Sequence, residues 1–221
     1  MEQAVTGGRR VGTWVAIGVI AVGALLAIGS VLSVFSHYQI QRVGSESMAP
    51  TLHQGDLLFL RTVDPGKVGR GDIVLFTPPE DLGPGPFVQR VVGVGGDELS
   101  SDPTGHLVRG GAPVAEPYAT AADPGKRVAD VKVPEGRLFV MGDNRPNALD
   151  SRFYDNGQQG TVAAYEVTSR LAWSPGVFGS APAPFVALGA GLLVATAGTV
   201  ALLATVLIRP RRRTAAVLQP A

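Results

Sequence analysis

Residues 87–94 read FVQRVVGV, a run of aromatic and β-branched side chains that is followed by GGDE at residues 95–98. This composition favours a β-strand, and the glycines and aspartate after it favour a turn. Further short runs of the same kind are separated by Gly, Pro and Asp: DLLFLR (56–61), GDIVLF (71–76), HLVR (106–109), GRLFVMGD (136–143) and VTSRLAW (167–173). Short strands at this spacing predict a mostly β, antiparallel domain.

Two uncharged runs flank this β region. Residues 11–37 and residues 184–208 contain no Asp, Glu, Lys or Arg, and a helix needs only about 20 apolar residues to cross about 30 Å of hydrocarbon. A cleaved signal peptide also places arginines before an apolar run, but its apolar region is typically only about 7–15 residues long. The sequence therefore predicts one N-terminal and one C-terminal transmembrane helix.

Arginines flank both runs on the side nearer the chain terminus. Arg9 and Arg10 precede the first, and Arg209 and residues 211–213 follow the second. Positively charged flanks stay in the cytoplasm. The expected organisation is a cytoplasmic N-terminus (1–10), a transmembrane helix (11–37), an exoplasmic domain (38–182), a second transmembrane helix (184–208) and a cytoplasmic basic tail (209–221).

Composition excludes several classes of function. Between residues 38 and 182, seventeen acidic residues face thirteen basic ones, so no basic patch suited to nucleic acid is expected. The chain has no cysteine, which excludes disulfides and thiol nucleophiles. Its three histidines, His37, His53 and His106, lack the spacing of metal ligands. We therefore expect no metal and no cofactor.

Four separated motifs follow the first apolar run: SESMAPTLHQGD (45–56), GDIVLF (71–76), QRVVGVGGDE (89–98) and GDNRPNALDSR (142–152). In this order, and behind an apolar anchor, they resemble the successive conserved boxes of the bacterial type I signal peptidases, over about residues 45–173. The resemblance implies a serine endopeptidase of the bacterial plasma membrane. Its expected partners are the lipid bilayer and the signal peptides that it removes from secreted preproteins.

The resemblance also assigns roles to individual residues. Ser47 matches the nucleophile, and Ser45 matches a residue whose hydroxyl assists the Ser47 backbone N–H in the oxyanion hole. The positions that match the charged and polar support of the site are Arg90, Asp143, Asn144, Arg145, Asp150 and Arg152. The segment from Asp150 to Arg152 is expected to form an ion-pair network that holds the shape of the site.

Two positions depart from the family pattern. The family uses a Ser-Lys dyad, in which a desolvated, neutral lysine accepts the serine proton. Gln89 stands at the position of that lysine, and a carboxamide forms hydrogen bonds but is not basic near neutral pH. Ala148 stands where the family usually has a serine that hydrogen-bonds the lysine. The base and its partner are therefore both replaced.

Three explanations remain open from the sequence. The motif is misaligned and Lys126, in Lys126-Arg127-Val128, takes the lysine's place. Alternatively a substitute base serves Ser47, with His53 the nearest in sequence and the others being Lys67, Lys126, Lys132 and His106. In the third explanation the protein is a weak or inactive paralogue that binds signal peptides or regulates an active peptidase.

Overall fold

The computed structural model describes residues 2–78, 85–120, 123, 125–154, 156–175 and 181–207. Its two helices, α1 (Glu2–His37) and α2 (Ala183–Leu207), form one unit, and residues 37–181 form a second, β-rich unit. The strands described in that second unit are β1 (Gln39–Arg42), β2 (Leu57–Thr62), β3 (Ile73–Phe76), β4 (Phe87–Val94), β5 (Glu98–Ser101), β6 (Leu107–Arg109), β7 (Ala112–Pro113), β8 (Val131–Lys132), β9 (Arg137–Met141), β10 (Val162–Ala163) and β11 (Val167–Trp173).

The larger sheet contains the strands that lead to the conserved motifs. Its order is β1-β2-β11-β3-β4-β9-β10, and each pairing in it is antiparallel. β4 lies inside this sheet, between β3 and β9, with Gln89 opposite Val74 and Arg90 opposite Ile73. The predicted mostly β, antiparallel fold is confirmed.

A smaller sheet, in the order β7-β6-β5-β8, extends from the end of β4. The turn between β4 and β5 is built by Asp97, which accepts a hydrogen bond from the Val94 backbone N–H at 2.9 Å and a two-pronged contact from the Arg70 guanidinium. Gly96 adopts a φ of +87°, a conformation that side chains disfavour. The GGD that follows FVQRVVGV therefore makes the predicted turn.

Three buried clusters hold the β unit together. One packs Val74, Phe76 and Val91 between strands of the larger sheet, and a second joins the two sheets around Leu99 and Phe139. The third contains Met48, Leu52, Leu58 and Leu60, all at most 1% exposed. Because Met48 follows Ser47 directly, this third cluster anchors the loop that carries the serine.

The two helices match the predicted apolar runs. Val11–His37 has a mean hydropathy of 2.6 and Ala183–Ala204 one of 2.1, and both are long enough to cross a membrane. Large apolar side chains such as Trp14, Phe35 and Leu193 are more than two-thirds exposed, which is unlike the buried core helix of a soluble protein. The expected basic tail, residues 209–221, lies outside the described residues.

Glycines bring α1 and α2 into backbone contact. A Cβ atom added to Gly23 would lie 2.5 Å from the Ala195 nitrogen, and one added to Gly191 would lie 2.7 Å from the Ala27 nitrogen. Separations this short leave no room for a side chain. Small residues at such interfaces let apolar helices pack closely.

We expect Gly191→Leu to separate the helix pair and lower its stability by about 1–3 kcal/mol, the usual cost of overpacking. Thermal unfolding of the full chain in detergent, followed by circular dichroism at 222 nm, measures this loss. Gly189→Leu is the matched control, because a Cβ at Gly189 meets nothing within 4 Å. Equal melting temperatures for the two variants would contradict the packing argument.

Candidate active site

A cavity of about 440 Å³ opens in the β unit beside the loop that carries Ser47. Its walls come from residues 41–45, 47 and 48, from Leu75, from residues 86–89, and from Asn147 and Leu149. All four sequence motifs, although separated along the chain, therefore meet at one cavity. Ser45, Ser47 and Gln89 all belong to its lining.

The two serines are directly hydrogen-bonded. The Ser45 hydroxyl donates to Ser47 Oγ over 3.1 Å, and the Ser47 backbone N–H points to Ser45 Oγ at 3.5 Å. Ser47 Oγ thus accepts a hydrogen bond and keeps its own proton available for donation. Ser47 is half-buried and Ser45 exposed, so the pair lies at the cavity surface, where an extended peptide can reach it.

The backbone around Ser47 is held by the fourth motif. The Asn144 backbone N–H donates to the Ser47 carbonyl over 3.0 Å, and Asn144 Nδ2 donates to the Glu46 carbonyl over 3.0 Å. Gly142 allows this close approach, since a Cβ there would lie 2.5 Å from the Ser47 carbonyl oxygen. The amide of Asn144 therefore positions the serine loop and does not face the reacting atoms.

Arg90 and Asp143 form a buried ion pair beneath this loop. Their side chains are 11% and 0% exposed, and two parallel hydrogen bonds, Nε to Oδ1 at 2.8 Å and Nη2 to Oδ2 at 2.6 Å, join them. The Thr51 hydroxyl also donates to Asp143, and the Arg90 guanidinium lies 4.0 Å from the centre of the Tyr118 ring. The pair links β4 to the serine motif and to the fourth motif.

Two further buried pairs support the same motif. Arg152 binds Asp150 through Nε at 2.8 Å and Nη2 at 2.9 Å, and Asp150 also accepts from the Gly142 backbone N–H. Arg145 binds Glu116 in the same two-pronged way, at 2.9 Å and 2.7 Å. Arg152 Nη2 also donates to the Arg145 carbonyl at 2.7 Å, so the two pairs form one network.

Gln89 is buried at the cavity wall, with 2% of its surface exposed. Its Nε2 donates to the Leu149 carbonyl, and the Tyr154 hydroxyl lies 3.2 Å from its Oε1. Ala148, next to Leu149, is 5% exposed and packs against Gly142, where an added Cβ would lie 2.4 Å from its own. Gln89, which departs from the family pattern, therefore contacts the residue that follows Ala148, the second departure.

His53 lies in the serine loop but outside the cavity lining. Its Nδ1 is 3.1 Å from Glu46 Oε2, and its side chain is 60% exposed. The Glu46 carboxyl has a pKa below its usual range, because the Gln54 backbone N–H donates to it and because His53 contacts it. The structure therefore shows the imidazole in contact with the carboxylate of the residue that precedes Ser47.

The other candidate bases contact groups elsewhere. Lys67 and Lys132 lie 4.0 Å and 3.5 Å from the carboxylates of Asp64 and Glu98. Lys126 lies over the Phe153 ring, 4.6 Å from its centre, and His106 contacts Thr104 and Asp102. Within the described part of the chain, the residues that line the cavity carry no amine, imidazole or carboxylate. Their one ionisable side chain is Arg42, which donates to the Gly55 carbonyl.

Two residues of the site escaped the sequence analysis. Glu116 lies in the Pro- and Gly-interrupted stretch 115–127, and nothing in its surroundings marks it as the partner of Arg145. Tyr154 follows the fourth motif by two residues, and its contact with Gln89 spans 65 positions. In both cases the signal is a tertiary contact, which a single sequence does not carry.

Comparison with known proteins adds to this geometry. A family model described as "Signal peptidase, peptidase S26" matches residues 11–174. Signal peptidase I of Bacillus licheniformis is 39% identical over 151 residues, or 63% of this chain and 76% of that one. Signal peptidase I of Bacillus amyloliquefaciens is 37% identical over 172 residues, or 71% and 82%.

A solved structure also matches part of the chain. The crystal structure of a signal peptidase I from Enterococcus faecalis is 26% identical, covers 48% of this chain and 97% of its own, and superposes with a TM-score of 0.37. Assignment to a family rests on the sequence matches, which span the serine loop, β4 and the fourth motif. The chain belongs to the signal peptidase family, peptidase S26.

Proposed function

We propose that this protein is a membrane-anchored serine endopeptidase of the signal peptidase I type, which removes signal peptides from secreted preproteins with Ser47 as its nucleophile. The observation that carries the proposal is the meeting of the family's motifs at one cavity, with the hydrogen-bonded Ser45–Ser47 pair on its wall. Family membership over residues 11–174 supports the same activity.

The bilayer is the proposed second partner. The exposed apolar side chains of α1 and α2 suit a hydrocarbon environment. Arginines flank both runs on the sides nearer the chain termini, which supports a topology with both termini in the cytoplasm and residues 38–182 outside, in a bacterial plasma membrane. This arrangement brings the cavity to the face of the membrane where exported preproteins emerge.

An extended peptide fits the cavity between residues 41–45 and β4. Backbone groups of one edge segment and small pockets for alternate side chains are the means by which proteins bind extended peptides. Ser47 Oγ then attacks the scissile carbonyl carbon, while the Ser47 N–H and the Ser45 hydroxyl stabilise the oxyanion. Collapse of the tetrahedral adduct breaks the scissile C–N bond and releases the mature protein, whose new amino group takes up the proton that the serine gave up. Water then hydrolyses the acyl-enzyme ester, which frees the signal peptide with a carboxyl terminus and returns Ser47 with its proton.

The serine proton needs an acceptor other than Gln89, because a carboxamide is not basic near neutral pH. His53 stays the predicted substitute, since its ring contacts the carboxylate next to Ser47. One observation favours a second function: among the described residues, the cavity lining supplies a nucleophile without a base. The second candidate is therefore a protein that binds signal peptides, or regulates an active peptidase, without cutting.

A time course of preprotein cleavage in liposomes tests both candidates. For the endopeptidase we expect the native protein to release the signal peptide and Ser47→Ala to abolish release. Ser100→Ala, a serine of β5 remote from the cavity, is the control and should keep the native rate. Cleavage that survives Ser47→Ala unchanged contradicts the role of Ser47. Native binding of the signal peptide without any release assigns the second function instead.

A further inference from the structure

The Leu149 carbonyl and the Tyr154 hydroxyl together form what we term the amide seat of Gln89. Gln89 Nε2 donates to the Leu149 carbonyl, and the Tyr154 hydroxyl lies 3.2 Å from Gln89 Oε1 and 3.3 Å from the Leu149 carbonyl. A carbonyl oxygen only accepts hydrogen bonds, so the atom of the carboxamide that faces it is Nε2. Oε1 therefore faces the tyrosine, which donates its single hydrogen within the seat.

The amide seat is buried and its donor is fixed. Tyr154 is 5% exposed, and its ring packs in the cluster that contains Val74 and Val91. Burial raises the pKa of the Tyr154 hydroxyl, and the negative charge of Asp150 adds to the effect. The hydroxyl therefore keeps its proton throughout the physiological pH range. A carboxamide satisfies both members of the seat at once, with one donor and one acceptor.

We propose that Tyr154 is a positioning residue of the site: its hydroxyl, with the Leu149 carbonyl, suits position 89 to an uncharged carboxamide and weakens an amine base placed there. The inference rests on the proposed function, because it concerns which side chains at position 89 can serve Ser47. The family's lysine is absent from this chain. The amide seat gives a separate reason why Gln89→Lys alone is insufficient to restore the base.

The two oxygens of the amide seat determine how an amine introduced at position 89 would be protonated. Both the Leu149 carbonyl and the tyrosine oxygen accept hydrogen bonds from an ammonium group, and charge-assisted bonds of this kind are about twice as strong as neutral ones. Hydrogen bonds to the charged form favour that form. These two hydrogen bonds therefore raise the pKa of an introduced amine against the lowering effect of burial. The fraction that stays protonated has no lone pair with which to accept the Ser47 proton.

The first experiment tests the positioning directly and needs no activity. Full-length protein in detergent, labelled with ¹⁵N at glutamine side chains, shows the Gln89 Nε2 resonances, which are assigned by their loss in Gln89→Lys. We expect Tyr154→Phe to shift both of these proton resonances. Tyr165→Phe is the matched control, because Tyr165 is 76% exposed, and it should leave them in place. Unshifted resonances in Tyr154→Phe overturn the proposal.

The second experiment compares Gln89→Lys with Gln89→Lys/Tyr154→Phe in the preprotein assay across pH. Removing the tyrosine oxygen should lower the pKa of the introduced amine by about one unit, a tenfold change in its neutral fraction. The rising limb of the pH–rate profile should then move about one unit to lower pH, with about tenfold faster cleavage at neutral pH. Tyr165→Phe in the same background should move neither.

A merely structural role for Tyr154 predicts slower cleavage with the pH limb unmoved, and that result also overturns the proposal. Failure of the proposed function looks different. If the lysine variants cut no preprotein at any pH, or still cut after Ser47→Ala, the endopeptidase mechanism fails, while the glutamine resonances independently decide whether Tyr154 positions residue 89.

Discussion

Asp143→Ala is expected to lower the free energy of unfolding of the β unit by about 3–5 kcal/mol, the range for removing one partner of a buried ion pair. Asp143 is fully buried and accepts hydrogen bonds from two guanidinium nitrogens of Arg90 and from Thr51. Its loss leaves the Arg90 charge, which is 11% exposed, without its counter-ion. The cost arises mostly from that unpaired charge.

Denaturant unfolding of the full chain in detergent measures the effect. It is followed by tryptophan fluorescence in a Trp14→Phe background, so that the signal reports Trp173 in β11. Glu98→Ala is the matched control, since the Glu98–Lys132 pair is 67% and 74% exposed, and exposed pairs contribute only about 0–1 kcal/mol. A double variant, Arg90→Met with Asp143→Leu, should recover much of the loss because it removes both charges. A loss in Asp143→Ala no larger than in Glu98→Ala would contradict the pair's structural role.

Asp143→Ala should also change the position of Ser47. Asn144, the next residue, holds the Ser47 carbonyl and the Glu46 carbonyl through two hydrogen bonds of 3.0 Å each. Because Asp143 fixes the backbone from which Asn144 projects, its removal displaces the Ser47 loop in molecules that remain folded. The ion pair therefore stabilises the fold and the geometry of the candidate site together.

Strands with strong local patterns were predictable from the sequence. β2, β3, β4, β6, β9 and β11 fall within one or two residues of the predicted runs, because their apolar and β-branched side chains fill the buried clusters. β1, QIQR, was missed because it lies at the edge of the sheet with all four residues exposed. β7, β8 and β10 span two residues each, too few for any periodicity to show.

The site was predictable only where a motif carries it. Ser45, Ser47, Gln89 and Arg90 were named from their motifs, and the structure brings all but Arg90 to the cavity lining. How they are held was not predictable, because the contacts join residues far apart in sequence: Thr51 and Asp143 are 92 positions apart, and Glu46 and Asn144 are 98. Contacts between residues this far apart form only when the whole sheet folds, so no local sequence pattern predicts them.

The second large effect is a gain of function. In a Tyr154→Phe background, Gln89→Lys with Ala148→Ser is expected to raise the rate of preprotein cleavage about 10²–10⁴-fold over the native protein, the usual contribution of a positioned general base. Ala148 precedes Leu149, whose carbonyl already contacts residue 89. The substitution Ala148→Ser restores, at this neighbouring residue, the hydroxyl that the family resemblance implies as the hydrogen-bond partner of the lysine.

The measurement is the liposome time course, with Ser47→Ala added to the same background as a control that should abolish the gain. With Tyr154 intact, the same double substitution should gain about tenfold less, since the seat raises the pKa of the amine by about one unit. A gain that survives Ser47→Ala would show that the introduced amine does not act through Ser47. No gain in either background would mean that the missing lysine is not what limits cleavage, and the acceptor of the serine proton must then be sought at His53, beside Glu46.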